Sequence, residues 1–255
     1  MTRADAIRLL RDAGVADPAR DVRLLEEAGR GEAWFNEALD QRRARRPMAQ
    51  ILGHRDFWRY RFKVTADVLD PRPETETLVE AALKHPFVSV LDLGTGSGAI
   101  LLSLLGERPE ARGVGTDISE RAILVAGENA AALGLADRVI LPLSDWWEDV
   151  GGRYDLIVSN PPYIRSTDIS ALSPDVREFE PQVALDGGPD GLEAYDRIIE
   201  GLSDHLLPGG RVLLEIGPDQ AAEVSSRLAA AGLAQIKIHL DLDGRDRVLE
   251  AQLVP

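Results

Sequence analysis

Cysteine is missing from all 255 residues. Disulfides, thiolate nucleophiles and cysteine-bound zinc are thereby excluded, no metal site is expected, and a reducing, cytoplasmic setting fits best. Long apolar runs are missing too. None approaches the ~18 residues of a membrane span. Met1-Thr2-Arg3-Ala4-Asp5 opens an amphipathic stretch instead of a secretion signal, so no membrane partner is expected. Positive charge is scarce, with 29 Lys and Arg against 43 Asp and Glu, and its distribution is uneven. Residues 1–63 carry 14 basic side chains against 10 acidic ones, which leaves 15 against 33 for residues 64–255. A main body this acidic repels phosphate backbones, so no stable nucleic-acid partner is expected. The basic excess at the front suits either an acidic partner or a solvated helical surface.

What is present divides the chain into three parts. Residues 1–52 read as a helical domain, with Ile7, Leu9 and Leu10, then Val22, Leu24 and Leu25, then Trp34, Phe35 and Leu39 at near-helical spacing. Asp17-Pro18 predicts an N-cap followed by proline at the first helical position. The run Arg42-Arg43-Ala44-Arg45-Arg46 is expected at a helix end, where the dipole favours cations. Residues 53–73 read as a hairpin linker, because Trp58, Tyr60, Phe62 and Val64 alternate with Arg59, Arg61 and Lys63. Residues 74–255 open with a helix over Glu74–Leu83 and then alternate strand and helix signals. Strands are expected at Ser89–Leu93, Arg112–Asp117, Arg138–Leu141, Tyr154–Ser159, Gly210–Ile216, Ala234–His239 and Arg247–Gln252. Alternation of this kind predicts an α/β fold with a doubly wound, seven-stranded, mostly parallel sheet. The segment between the last two strands is too short for a crossover helix, so these two should pair antiparallel.

Three motifs carry chemistry. Gly94-Thr95-Gly96-Ser97-Gly98 follows the first strand of the main domain and opens a helix, as in loops that let a ligand approach the backbone. Asp117 ends the second strand and can accept the two hydroxyls of a ribose; its alternative role, capping the next helix, can fall to Ser119. Ser144-Asp145-Trp146-Trp147 follows the third strand and offers an aromatic ring to a flat adenine, with either tryptophan able to serve. Asn160-Pro161-Pro162-Tyr163 ends the fourth strand. The Asn160 side-chain oxygen and the Pro161 carbonyl can accept both N–H bonds of a planar amide-type nitrogen, the prolines stiffen the loop, and Tyr163 can stack on the flat group. No acid, base or metal is then needed before methyl transfer. From Asn160 to about Gly191 the chain is rich in proline and Asp/Gly turns, the pattern of a long functional loop.

Val90-Leu91-Asp92-Leu93-Gly94-Thr95-Gly96-Ser97-Gly98 together with Asn160-Pro161-Pro162-Tyr163 resembles the class I methyltransferases that modify amino nitrogens. Gln50-Ile51-Leu52-Gly53 leading into Phe57-Trp58, and Pro71-Arg72-Pro73-Glu74-Thr75-Glu76, narrow the resemblance to the protein-(glutamine-N5) methyltransferases of peptide-chain release factors. Glu180-Pro181, Leu185, Gly191, Leu214-Glu215-Ile216-Gly217 and Asp246-Arg247-Val248 match as well. Gln50 stands where that family usually has an aromatic residue. The resemblance implies S-adenosylmethionine as donor and the glutamine of a Gly-Gly-Gln segment in class-1 release factors as acceptor and partner. It implies cofactor contacts from Gly94, Thr95, Gly96, Ser97, Gly98, Asp117, Trp146 and Asn160. Contacts to the glutamine are implied for Asn160, Pro161, Pro162 and Tyr163, with Asn160, Pro161 and Tyr163 acting in catalysis. A monomer is favoured. Two other functions compete. An adenine-N6 methyltransferase could use the same tetrapeptide on a flipped base, which a gel shift at modest salt distinguishes. A nucleotide-binding oxidoreductase or silent binding module would use the glycine loop and Asp117 but leave Asn160 to Tyr163 idle, which calorimetry with nicotinamide dinucleotides distinguishes.

Overall fold

The computed structural model describes residues 1–254. Four helices come first: α1 (Arg3–Asp12), α2 (Pro18–Glu27), α3 (Glu32–Arg43) and α4 (Met48–Leu52). The Thr2 hydroxyl caps α1 by accepting from the Asp5 N–H, and the Asp17 carboxylate caps α2 ahead of Pro18. Caps of this kind are worth about 1 kcal/mol each. Ala6, Leu10, Val22, Leu25, Ala38 and Leu39 close these helices around a core of their own. The expected terminal cations of α3 divide. Arg43 is exposed, but Arg42 is buried and pairs with Asp21 at 2.7 Å. A buried guanidinium needs a carboxylate, which apolar periodicity cannot reveal.

The linker forms a hairpin, β1 (His54–Phe57) and β2 (Tyr60–Lys63). Trp58 is not a strand residue, as its alternation with Tyr60 and Phe62 implied. It stands with Arg59 in the two-residue turn, at φ 54°. Such turns need positive φ. Trp58 tolerates it because its N–H donates to Glu76 Oε1 at 2.7 Å and its indole N–H to Glu107 Oε1 at 3.2 Å. Phe57 and Phe62 turn inwards and join the core of the main domain.

A 3-10 turn at Pro73–Thr75 precedes α5 (Glu76–Leu83), so the helix expected from Glu74 starts two residues later. Then follow β3 (Ser89–Leu93), α6 (Ala99–Glu107), β4 (Arg112–Thr116), α7 (Glu120–Ala132), β5 (Val139–Ile140), β6 (Tyr154–Ser159), α8 (Pro174–Arg177), α9 (Glu193–His205), β7 (Leu206–Glu215), α10 (Ala221–Ala230), β8 (Leu233–Leu240) and β9 (Asp246–Leu253). The seven-stranded sheet runs in the order β5-β4-β3-β6-β7-β9-β8. It is parallel except for β9, which runs antiparallel to β7 and β8, as the short connection before it required. Helices cover both faces. Leu101, Leu104 and Leu105 of α6 pack with Val90 and Leu156 on one face, and Tyr195, Ile198 and Leu202 of α9 with Leu91 and Ile157 on the other. A fully buried side chain of this size contributes roughly 1.5–3 kcal/mol. No helix among the described residues is long and apolar enough to cross a membrane.

The strand order reverses between β3 and β6, which are neighbours. Ligands bind beyond the carboxyl ends of the strands at such a switch point. The glycine loop leaves β3 there, and Asn160 leaves β6.

Candidate active site

A cavity of about 330 Å³ opens over these strand ends, within the size range of small-ligand sites. Its inner wall is backbone. Gly94 and Gly96 have φ of 72° and 56°, and a Cβ on either would meet no atom within 4 Å. Both positions thus require the left-handed conformation and leave the main chain open to the cavity. Asp117 holds the loop from the next strand. Its Oδ2 accepts from the Gly96 N–H and its Oδ1 from the Ser119 N–H, both at 2.9 Å. Burial raises its pKa, opposed by those N–H groups. The helix cap falls to Ser119, whose hydroxyl accepts from the Ala122 N–H. Asp92 lies beneath the loop, fully buried, accepting from Thr95 Oγ1 at 2.7 Å. Burial, with a further push from the Asp117 carboxylate, lifts its pKa to about 7. Asn129, almost fully buried on α7, donates to the Ser97 carbonyl and accepts from the Lys63 N–H, tying the hairpin to the glycine loop.

Of the residues expected at a site, Gly94, Thr95, Gly96, Ser97, Asp117, Trp146, Asn160 and Pro162 line this one cavity, whereas Gly98, Pro161 and Tyr163 do not. Gly98 caps α6 and faces Leu102 instead. The two tryptophans separate. Trp146 is held at φ 50°, with its carbonyl accepting from the Ser144 hydroxyl, and joins the cavity wall. Trp147 turns to α9, stacks on His205 with ring centroids 4.5 Å apart, and donates to the Arg197 carbonyl. Gly201 makes room for it, since a Cβ there would stand 2.4 Å from the indole.

Tyr163 does not present the stacking ring expected of it. Its ring packs beside the core on the α9 face, and its hydroxyl donates to Glu215 Oε1 at 3.4 Å. Burial and the neighbouring Glu215 carboxylate push the phenol pKa far up, so it stays protonated as a donor. The Tyr163 carbonyl accepts from Gln220 Nε2 at 3.1 Å, and the same amide group donates to the Gly191 carbonyl at 3.0 Å. A Cβ on Gly187 would stand 2.7 Å from the Pro162 carbonyl oxygen, so the turn at Gly187 lies directly against the tetrapeptide. Asn160 is half-buried, and its Nδ2 donates to Thr75 Oγ1 at 3.2 Å.

The outer wall comes from the long loop after Asn160, through Pro181, Val183 and Ala184. Side chains from the front of the molecule hold that segment. Asp175 accepts from Arg42 Nη1 and Arg45 Nε, each at 2.6 Å. Gln50, which replaces an aromatic residue of the resembled family, donates to the Phe179 carbonyl at 2.9 Å. Arg72, itself in the cavity wall, donates to both oxygens of buried Glu180 at 2.6 and 2.8 Å.

Thr75, Arg72, Gln220 and Glu215 were not singled out as site residues by sequence. All but Gln220 lie inside segments that carried the family resemblance, Pro71 to Glu76 and Leu214 to Gly217. That was the available signal. Gln220 had none, because its hydrogen bonds run to backbone far away in sequence.

Comparison with known proteins bears on the family and the fold. Residues 66–173 match the family model described as "Methyltransferase small domain". The chain is 55% identical to a release factor glutamine methyltransferase of Cereibacter sphaeroides over 98% of this chain and 90% of that protein. It is 46% identical to a protein of the same name from Rhodospirillum rubrum, over 95% and 81%. Among solved structures, a ribosomal protein L11 methylase from Lactobacillus delbrueckii subsp. bulgaricus aligns with a TM-score of 0.53 at 25% identity, covering 74% of this chain and 82% of that one. A methyltransferase from Pyrococcus furiosus aligns with a TM-score of 0.59 at 20% identity, covering 76% and 89%, and shares the fold.

Proposed function

The chain belongs to the release factor glutamine methyltransferase family, and from that premise we propose that it methylates the side-chain nitrogen of the Gly-Gly-Gln glutamine in class-1 release factors, using S-adenosylmethionine bound in the cavity above β3 and β6. The observation that carries this reading is the meeting of the glycine loop, Asp117 and Asn160 around one cavity. Those residues fit the donor. Gly94 and Gly96 leave their backbone uncovered, and Asp117 is a half-buried carboxylate with accepting capacity beyond its two N–H partners, free to meet ribose hydroxyls. Trp146 offers its ring to the adenine. S-adenosylmethionine, when bound, supplies an electrophilic methyl group on a sulfonium.

The acceptor is a poor nucleophile, because its lone pair is shared with the carbonyl. Asn160 Oδ1 accepts one of its N–H bonds from the cavity wall, the Pro161 carbonyl accepts the other from between the lining residues Asn160 and Pro162 although the Pro161 ring itself stands outside that wall, and together they hold the nitrogen's face towards the methyl donor. Positive charge builds on that nitrogen as the carbon–nitrogen bond forms and the methyl–sulfur bond breaks, its N–H groups become stronger donors, and one of those protons is then lost to water. The two acceptors therefore bind the transition state better than the ground state, which lowers the barrier. Tyr163 anchors the loop from below through Glu215 and does not stack on the substrate. Incubation with labelled S-adenosylmethionine and purified release factors, followed by peptide mass mapping, tests the proposal. A single added methyl on the Gly-Gly-Gln glutamine is expected, and label on nucleic acid or on no release-factor peptide would overturn it.

A further inference from the structure

An amide side chain such as that of Asn160 can present either its oxygen or its nitrogen to a ligand, and only the oxygen can accept an N–H. Something must choose between the two. Asn160 Nδ2 lies 3.2 Å from Thr75 Oγ1. Thr75 is 4% exposed, at the end of the turn that precedes α5. A hydroxyl donates once and accepts up to twice. If its proton pointed at Asn160, the amide would turn over and offer its nitrogen to the cavity. The proton has another destination. Glu215, at the end of β7 and 1% exposed, lies beside Thr75, and its buried Oε2 has no hydrogen-bond partner, which leaves an acceptor in want of a donor next to the threonine hydroxyl. The Thr75 hydroxyl is the foremost influence holding the Glu215 pKa down, against a burial that lifts it to about 7. An ionised carboxylate only accepts.

We propose that Thr75 and Glu215 are positioning residues: the Glu215 carboxylate takes the Thr75 hydroxyl proton, Thr75 Oγ1 is left to accept from Asn160 Nδ2, and Asn160 Oδ1 is thereby fixed towards the acceptor nitrogen. The same carboxylate receives the Tyr163 hydroxyl at 3.4 Å, so it holds both ends of the tetrapeptide. Arg247 lies near it but is engaged elsewhere, donating to the Ile216 carbonyl and to Asp241. Glu215 thus orients a group that touches substrate without touching substrate itself. The inference rests on the reading that Asn160 Oδ1 meets the substrate amide.

The test is a double-variant cycle in single-turnover methylation of a purified release factor at saturating S-adenosylmethionine. Misplacing a reacting group by about 1 Å can cost about a hundredfold in rate, so Thr75→Val should lose about ten- to a hundredfold. Its S-adenosylmethionine affinity by calorimetry should stay close to that of wild type. Thr75→Ser keeps the hydroxyl and should restore most of the rate. Thr75→Val combined with Asn160→Ala should be no slower than Asn160→Ala alone, because the threonine acts through the asparagine. Glu215→Gln, which can donate to Thr75 as readily as accept, should show an intermediate loss; it decides the matter if Thr75→Val fails to fold. A slow Asn160→Ala with wild-type rates in Thr75→Val and Glu215→Gln overturns the relay alone, as does a fully additive double variant. Wild-type rates in both Asn160→Ala and Thr75→Val overturn the acceptor-site reading beneath it.

Discussion

The two walls of the cavity are built differently. The inner wall is main chain. The glycine loop leaves one strand and is held by Asp117 from the next, with both hydrogen bonds going to backbone N–H groups. The outer wall is hung on side chains. Asp175, the Phe179 carbonyl and Glu180 are gripped by Arg42, Arg45, Gln50 and Arg72, residues from α3, α4 and the linker region. The first wall is preformed by the sheet. The second is braced by the front of the chain as well as by its own contacts to the main domain, such as the Gly187 N–H to the Ile164 carbonyl. The proposed chemistry divides in the same way: it seats the cofactor against the inner wall and brings the acceptor past the outer one.

The sharpest test of that division is at the seam. Asn160→Ala should cut the single-turnover rate about a hundred- to a thousandfold, roughly 2.7–4 kcal/mol, the usual cost of one preorganised partner of a transition state. S-adenosylmethionine affinity and circular dichroism should stay close to wild type. A rate within a few-fold of wild type would move the acceptor site elsewhere.

Asp117→Ala strikes the inner wall. Charge-assisted hydrogen bonds contribute on the order of 1.5–3 kcal/mol each, so the loss of even one should raise the S-adenosylmethionine dissociation constant by at least about ten- to a hundredfold. The rate of the saturated complex should change little, because these bonds do not alter during transfer. Unchanged affinity by calorimetry would remove Asp117 from the cofactor site.

Asp175→Ala strikes the outer wall and should show the opposite pattern. Arg42 keeps Asp21, but Arg45 loses its carboxylate. KM for the release factor should rise several-fold and unfolding should become easier by about 1–3 kcal/mol, because a partly buried charge loses its partner. Cofactor affinity should hold. A variant that loses cofactor affinity while keeping KM would erase the distinction between the walls.

The smallest effect concerns pH and lies beneath the inner wall. Asp92 has a folded pKa near 7, above its ordinary 3.8, because it is buried. Between about pH 4 and 7 the folded protein therefore holds more protons than the unfolded chain, and stability falls as pH rises through that window. Glu215, also lifted to about 7 by burial, acts with the same sign. Asp92→Asn cannot ionise, so the fall in melting temperature from pH 5 to pH 8 should shrink by a few degrees while the Glu215 share persists. An unaltered fall would show that Asp92 does not carry it.

The contrast between the walls is also a contrast in legibility. The seven strands, the antiparallel end, the glycine loop and Asp117 were readable because their signals are local: periodicity, turn residues and one strand followed by one helix. Asn160 to Tyr163 was readable as a motif, though not the direction in which Tyr163 points, which Glu215 sets from 52 residues away. Trp146 and Trp147 are adjacent and chemically equal; a left-handed backbone at Trp146 separates them, and the space at Gly201 receives the other. The arginine run was expected at a helix end, and Arg42 and Arg43 do lie in the last turn of α3, but the burial of Arg42 between Asp21 and Asp175 was not readable. Pairings over such separations leave no trace in any short window.

Arg42 and Asp175 stand 133 residues apart in the chain. During synthesis at ~5–20 residues per second, that separation corresponds to a delay of roughly 7–27 s between the appearance of the arginine and that of its second carboxylate. Through that interval Asp21 and the carbonyls of Arg45 and Arg46, all in the front of the chain, are the native partners already synthesised for the guanidinium, and the contact that ties it to the cavity's outer wall is among the last it can make.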